Sequence, residues 1–148
     1  MGRNLLESTR TMSGSFGEIW MDGEWLSNFH LGEAYGDIQY EKVKRSGTRK
    51  SGNKAMSIEY AGTISGYKVT SGLSQRVGQI NDDRKGPFVC QLIMKIDDPE
   101  AYGAERVLLK GVQFNKIDIF KFEHGALVET EWPFVFEDYE YLDVITQN

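Results

Sequence analysis

The chain has 148 residues, 40% of them apolar and 12% aromatic, with 22 acidic against 17 basic residues and a formal charge of −5. That length suits a single domain burying about two thirds of its unfolded surface, and that aromatic content excludes a wholly disordered chain. No run approaches the roughly eighteen apolar residues of a membrane helix, and Met1 to Ser15 lacks the apolar stretch of a signal peptide, so no membrane anchoring is expected and the protein is read as made and kept in a cytosol.

Residues 1 to about 15 read as a flexible arm, since chain ends that are not tied down are seldom ordered. Ile19 and Met21 then lead into Asp22-Gly23, a dipeptide suited to the positive φ angles of a type I′ turn, and Trp25 and Leu26 complete a short hairpin. From Ala34 to Glu41, the residues Ala34, Gly36, Ile38 and Tyr40 alternate with Asp37, Gln39 and Glu41, as in a strand with one wet face. After a polar interval, Met56, Ile58, Tyr60 and Ile64 alternate with Ser57, Glu59, Thr63 and Ser65, so the two runs are expected to pair as a long hairpin. Leu73, Val77 and Ile80 recur at helical spacing behind Thr70 and Ser71, either of which suits the amino-terminal cap, and Asn81 to Pro87 supplies the stop. Phe88, Cys90, Leu92, Met94 and Ile96 form the next strand, closed by the Asp97-Asp98-Pro99 turn. Cys90, the one cysteine, has no internal disulfide partner and is expected to serve as a small core hydrophobe. Between Arg106 and Phe114, Gly111 breaks the alternation as a β-bulge does. The last clear strand places Val128, Thr130, Trp132, Phe134 and Phe136 on one face, and Pro133 on the other, where its missing amide proton calls for an edge or a bulge. Six or seven strands with one helix predict a mainly β fold across residues 1–148: an antiparallel sandwich or partly open barrel with one flanking α-helix.

The interval between the two long strands is the sharpest anomaly in the chain. Lys42, Lys44, Arg45, Arg49, Lys50 and Lys54 fall within thirteen positions that hold no acid, in a protein that is acidic overall. A connection spanning about 42–54 is more often functional or disordered than merely connective. It lacks the interleaved aromatics that stack bases, which makes a nucleic-acid patch a subsidiary reading. Beyond Lys121 the chain carries seven acids, Glu123, Glu129, Glu131, Glu137, Asp138, Glu140 and Asp143, and no Lys or Arg, so a complementary surface exists within the protein.

Catalytic constellations are missing. His30 and His124 lie far apart, and neither sits at metal-ligand spacing from a cysteine, histidine or acid. Gly72-Leu73-Ser74-Gln75-Arg76 begins like a nucleophile elbow but lacks the closing glycine. Asp82-Asp83 and Asp97-Asp98 are explained by turn chemistry, and the glycines near Gly14 and Gly47 precede no GKS or GKT and no helix start. Neither an enzyme nor a cofactor or metal is indicated.

In order along the chain, several motifs resemble one family: Ser13-Gly14, Gly17-Glu18-Ile19-Trp20-Met21-Asp22-Gly23, the Gly47 to Gly52 loop, Gly62-Thr63 with Tyr67-Lys68-Val69-Thr70, Gly111-Val112-Gln113-Phe114, and Trp132-Pro133-Phe134-Val135-Phe136-Glu137-Asp138. The family is that of the tail tube proteins of contractile-tailed bacteriophages and phage-derived particles such as tailocins. The resemblance implies hexameric rings, lined by a β-barrel to which every subunit contributes, stacked into a tube that conducts DNA or punctures a membrane. Its implied partners are further copies of the chain, the tail sheath, the tape measure protein and the baseplate, in a virion tail or phage-like particle assembled in a bacterial cytoplasm.

On this reading Asp37, Gln39, Glu41, Ser57, Glu59, Thr63 and Ser65 are expected to face the lumen, where acidic and small polar side chains let DNA pass without specific binding. The basic residues Lys42, Lys44, Arg45, Arg49, Lys50 and Lys54 are expected to contact the acidic surface of the next ring. Two other readings stay open: a small β-barrel module holding an apolar ligand, and a tube protein like that of type VI secretion.

Overall fold

In the computed structural model, which describes residues 5–146, the chain is mainly β and forms one antiparallel sheet with two ends that meet but do not close. Strand β1 (Gly17–Met21) turns into β2 (Glu24–Trp25) through Asp22 and Gly23, at φ of 50° and 84°, as the Asp-Gly dipeptide predicts. Two long strands follow, β3 (Phe29–Val43) and β4 (Gly52–Tyr67), then a helix α1 (Gly72–Val77) and strands β5 (Val89–Ile96), β6 (Glu105–Phe114), β7 (Glu129–Phe136) and β8 (Asp138–Asp143). Pairing runs in the order β2-β1-β5-β6-β7-β4-β3, with β8 on β6.

The corner of the sheet is made by β7 and β8. Phe134 pairs with Phe114 and Asp138 with Lys110, so β7 and β8 continue one register along β6, and the chain bends between them at Glu137. Up to the bend it pairs with β4; beyond it, with β6 alone. Gly111 sits at this corner with φ of 68°, one residue of the β6 bulge that shifts the β5 register between Cys90 and Leu92. A side chain there would come within 3.2 Å of the Glu137 carboxylate, so the bulge and the bend require the same glycine.

Bending brings the sheet ends together over a core of Ile19, Met21, Ile64, Val77, Cys90, Leu92, Leu109, Val112, Trp132, Phe134 and Phe136. Gly32 of β3 packs on Ile19 of β1 without a hydrogen-bonded ladder between those strands, which is why the barrel stays open. Each fully buried large apolar side chain, such as Phe134 or Leu92, stabilises the body by about 1.5–3 kcal/mol. None of these core residues comes from β3.

Several expectations need correction. Residues 1–4 of the expected arm lie outside the described residues; the rest forms 3₁₀ turns at Ser8–Arg10 and Gly14–Phe16 and is tied down by Ser13 N donating to Asp98 at 2.9 Å and by Arg10 donating to the Glu100 carbonyl at 2.9 Å. The expected loop at 42–54 is shorter, because β3 and β4 stay paired out to Val43 and Gly52, leaving only residues 44–51 as the connection. Strand β8 was hidden by its acidic composition. The helix changes to a 3₁₀ turn at Gly78–Asn81, which rotates Ile80 out to 53% exposure while Val77 stays buried. Pro133 lies within β7 opposite Thr63 of β4, but its nitrogen and carbonyl face the other side, where the β6–β7 ladder stops at Phe114 and the Pro133 carbonyl accepts from Asn115, so the missing amide proton removes no bond to β4.

Candidate assembly surfaces

The β3–β4 hairpin reaches well beyond the body. Only Tyr60–Tyr67 of β4 also pairs with β7, so from the Asp37–Glu59 rung outward the hairpin is a free two-stranded ribbon roughly 25 Å long. An isolated ribbon of this kind is marginal in water. Its outer edge, β3, offers an unpaired row of amide and carbonyl groups, among the described residues, along almost its whole length.

The register sorts the hairpin into two faces. Glu33 lies opposite Thr63, Asp37 opposite Glu59, Gln39 opposite Ser57 and Glu41 opposite Lys54, and all point away from the core, because Thr63 and Ser65 alternate with the buried Gly62 and Ile64. All seven residues expected on one polar face therefore share it. Asp37, Gln39, Glu41, Ser57 and Glu59 are exposed, and Thr63 and Ser65 are half-buried at the base. Met56 is an extra residue in β4 between the Gln39 and Tyr40 rungs, and this bulge flips the phase of β4 so that Lys54 joins the acidic face. Sequence alternation missed Lys54 for that reason. It also missed Leu31, Glu33 and Tyr35, which the ladder places on the same side.

The other face is apolar and only partly covered. Ile38 and Ile58 are 48% and 47% exposed. Beneath them a cleft of about 740 Å³ opens between the hairpin and the β6–β8 side, lined by Gly36, Tyr60, Val107, Tyr139 and Tyr141. Tyr60 stacks on Phe136 at 5.1 Å and meets the edge of Tyr139 at 5.5 Å, which anchors the base of the hairpin to the corner of the sheet.

The six basic residues do not form one cluster. Lys44, Arg45, Arg49 and Lys50 occupy the 44–51 connection, whereas Lys42 and Lys54 sit on ladder rungs opposite Asn53 and Glu41 and point to opposite faces. Within the tip, Arg45 Nε donates to the Lys50 carbonyl at 3.4 Å and the Lys50 amide to Thr48 Oγ1 at 3.2 Å, so the connection has its own internal bonding. Among the described residues no ion pair holds any of the six. The acidic set expected to answer them is partly spent within the subunit: Glu140 pairs with Lys110 at 3.2 Å, Asp143 with Arg106 at 3.0 Å, and Glu129 lies 3.7 Å from His30.

Side chains with chemical potential are engaged in structure. Ser74 Oγ donates to the Asp118 carbonyl at 2.6 Å, and Asp98 accepts from the amides of Ser13 and Glu100 at 2.9 and 3.0 Å. Burial, reinforced by the Asp22 carboxylate and opposed by Arg76, pushes the Cys90 thiol up to about 12. Among the described residues no group of three His, Cys, Asp or Glu side chains is placed to hold a metal ion.

The open sheet with its projecting hairpin recurs in chains of contractile injection systems. It matches a chain of the PVC extracellular contractile injection system sheath–tube complex with a TM-score of 0.67 at 10% identity, covering 90% of this chain and 93% of that one. It also matches a chain of the anti-feeding prophage tube-terminating cap with a TM-score of 0.64 at 8% identity, covering 97% and 95%. The family model described as phage tail tube protein matches residues 4–143, and the chain belongs to that family. It is 29% identical over 136 residues to the phage-like element PBSX protein XkdM of Bacillus subtilis strain 168, covering 91% of this chain and 92% of that protein. Its role is structural, in a phage-type tail. No helix among the described residues is long and apolar enough to cross a membrane.

Proposed function

We propose that copies of this chain join side by side into hexameric rings, and that the rings stack into the inner tube of a contractile tail. The observation that carries the proposal is the free β3 edge together with the half-covered apolar face of the same hairpin. Both are satisfied at once when a neighbouring copy adds to the sheet and covers Ile38 and Ile58. The face bearing Asp37, Glu41 and Glu59 then lines a water-filled bore, and its carboxylates leave duplex DNA, or a tape measure protein during assembly, free to slide. The tip residues Lys44, Arg45, Arg49 and Lys50 reach toward the next ring. A sheath surrounds the tube and a baseplate nucleates it, in a particle assembled in the host cytoplasm. The setting is a virion or a tailocin, with a tube like that of type VI secretion as the alternative.

Single exposed ion pairs contribute only about 0–1 kcal/mol, so the stacking contact acts through repetition around the ring. Reversing Arg45, Arg49 and Lys50 to Glu is therefore expected to abolish tube growth while leaving the fold intact by circular dichroism. Undiminished rods from that variant, seen by negative-stain microscopy at high protein concentration, would remove the tip from the stacking contact. The cleft of about 740 Å³ also suits a small apolar ligand. A ligand-binding module predicts a stable monomer at every concentration, with no rods.

A further inference from the structure

We infer that the two assembly steps carry opposite salt dependences, built into opposite ends of one hairpin; the inference rests on the ring-and-tube reading. On the outward face, Asp37 lies directly across from Glu59, with Glu33 and Glu41 on the same side of β3. Like charges on opposite positions of an antiparallel pair repel. From the Leu31 to the Val43 rung, that face holds four carboxylates against a single cation, Lys54, which sits opposite Glu41. Setting hairpins side by side brings these carboxylates toward those of the next copy. Ring closure is therefore opposed by a repulsion that salt weakens.

Stacking has the opposite sign. Lys44, Arg45, Arg49 and Lys50 are exposed and make no ion pair within the subunit, among the described residues. Their engagement with acids on another ring is an attraction that salt weakens. The screening length falls from about 30 Å at 0.01 M to about 3 Å at 1 M, a range that includes the roughly 5 Å between opposite side chains of an antiparallel pair. Low salt thus holds the protein as subunits, intermediate salt gives rings that stack, and high salt gives rings that do not. Tube growth passes through a maximum.

The test follows the full-length protein by sedimentation and negative-stain microscopy between about 0.01 and 1 M NaCl. Ring yield is expected to rise several-fold with salt, while rod mass rises and then falls. The double variant Asp37→Asn, Glu59→Gln should form rings already at the lowest salt and lose rods steadily as salt increases. Asp37→Lys, which turns the same rung into an attractive pair, should behave likewise and guards against a fold defect peculiar to the amide variant. Asp82→Asn, Asp83→Asn removes the same net charge from an exposed loop and should keep the wild-type maximum. Rings whose yield is flat or falling with salt would overturn the inference and leave the tube reading standing, as would a loop control that copies the hairpin variant. Absence of rings at every salt would overturn both.

Discussion

At the residue scale, Cys90, Gly111 and Asp98 each act through residues far from them along the chain. Cys90 sits in the core at 4% exposure, and the loss of hydration there raises its thiol to about 12 from an ordinary value of 9.0. A group whose folded pKa is raised contributes stability that is complete below its unfolded pKa and is lost as pH rises toward the folded one. Stability should therefore fall as pH rises between about 9 and 12, and Cys90→Ala should flatten that decline in denaturant titrations. The same burial predicts that a thiol reagent at pH 8 labels Cys90 only in unfolded protein. Gly111 combines φ of 68° with the close approach of Glu137. Gly111→Ala should cost on the order of 1–3 kcal/mol through strain at that position, read as a lowered midpoint in chemical denaturation. Asp98 was legible in sequence as a turn residue, but its second bond, to the amide of Ser13, joins the amino-terminal segment to the β5–β6 turn across a separation no local pattern reports.

At the element scale, the β3–β4 hairpin separates the part of the fold that stands alone from the part that needs a partner. Its base is held by β7, by the Tyr60–Phe136 stack and by Gly62, where a Cβ would overlap the Phe134 ring and the Glu33 carbonyl oxygen. Its outer half has neither a second ladder nor core contacts. In the isolated subunit, amides of Ile38 to Val43 and Gly52 to Ile58 should exchange with solvent far faster than those of Gly62 to Gly66, and assembly should protect them. Equal protection of both halves in a monomer would contradict the ribbon as the assembling element. Alternation located both strands and both faces, since a period of two survives in an exposed ribbon as well as in a core. It failed at Lys54 because a single bulge reverses phase, and no residue type marks Met56 as the extra one. Strand β8 was missed for a related reason: Asp138, Glu140 and Asp143 look like a solvated tail until Lys110 and Arg106 are placed opposite them.

At the scale of the whole molecule, the body is a sheet bent around a small core, and the remaining apolar surface is distributed over the hairpin, the aromatic cleft and a loop with Ile119 and Phe120 at 80% and 78% exposure. A chain that leaves so much apolar area in water and one long strand edge unpaired should change sedimentation with concentration. By itself the sequence determined the strand and helix inventory apart from β8, the turn at Asp22-Gly23, the bulge at Gly111, the mainly β fold class and, through its ordered motifs, the family. These depend on local backbone chemistry and on short periodicities, which a linear pattern records. Only the tertiary structure decided that the sheet stays open, that Glu33, Tyr35 and Lys54 join the carboxylate face, that the basic tip narrows to residues 44–51, and that Glu140 and Asp143 are already paired inside the subunit. The physical reason is that each of these follows from which strand lies beside which and in what register, a relation between distant residues that their order along the chain does not contain.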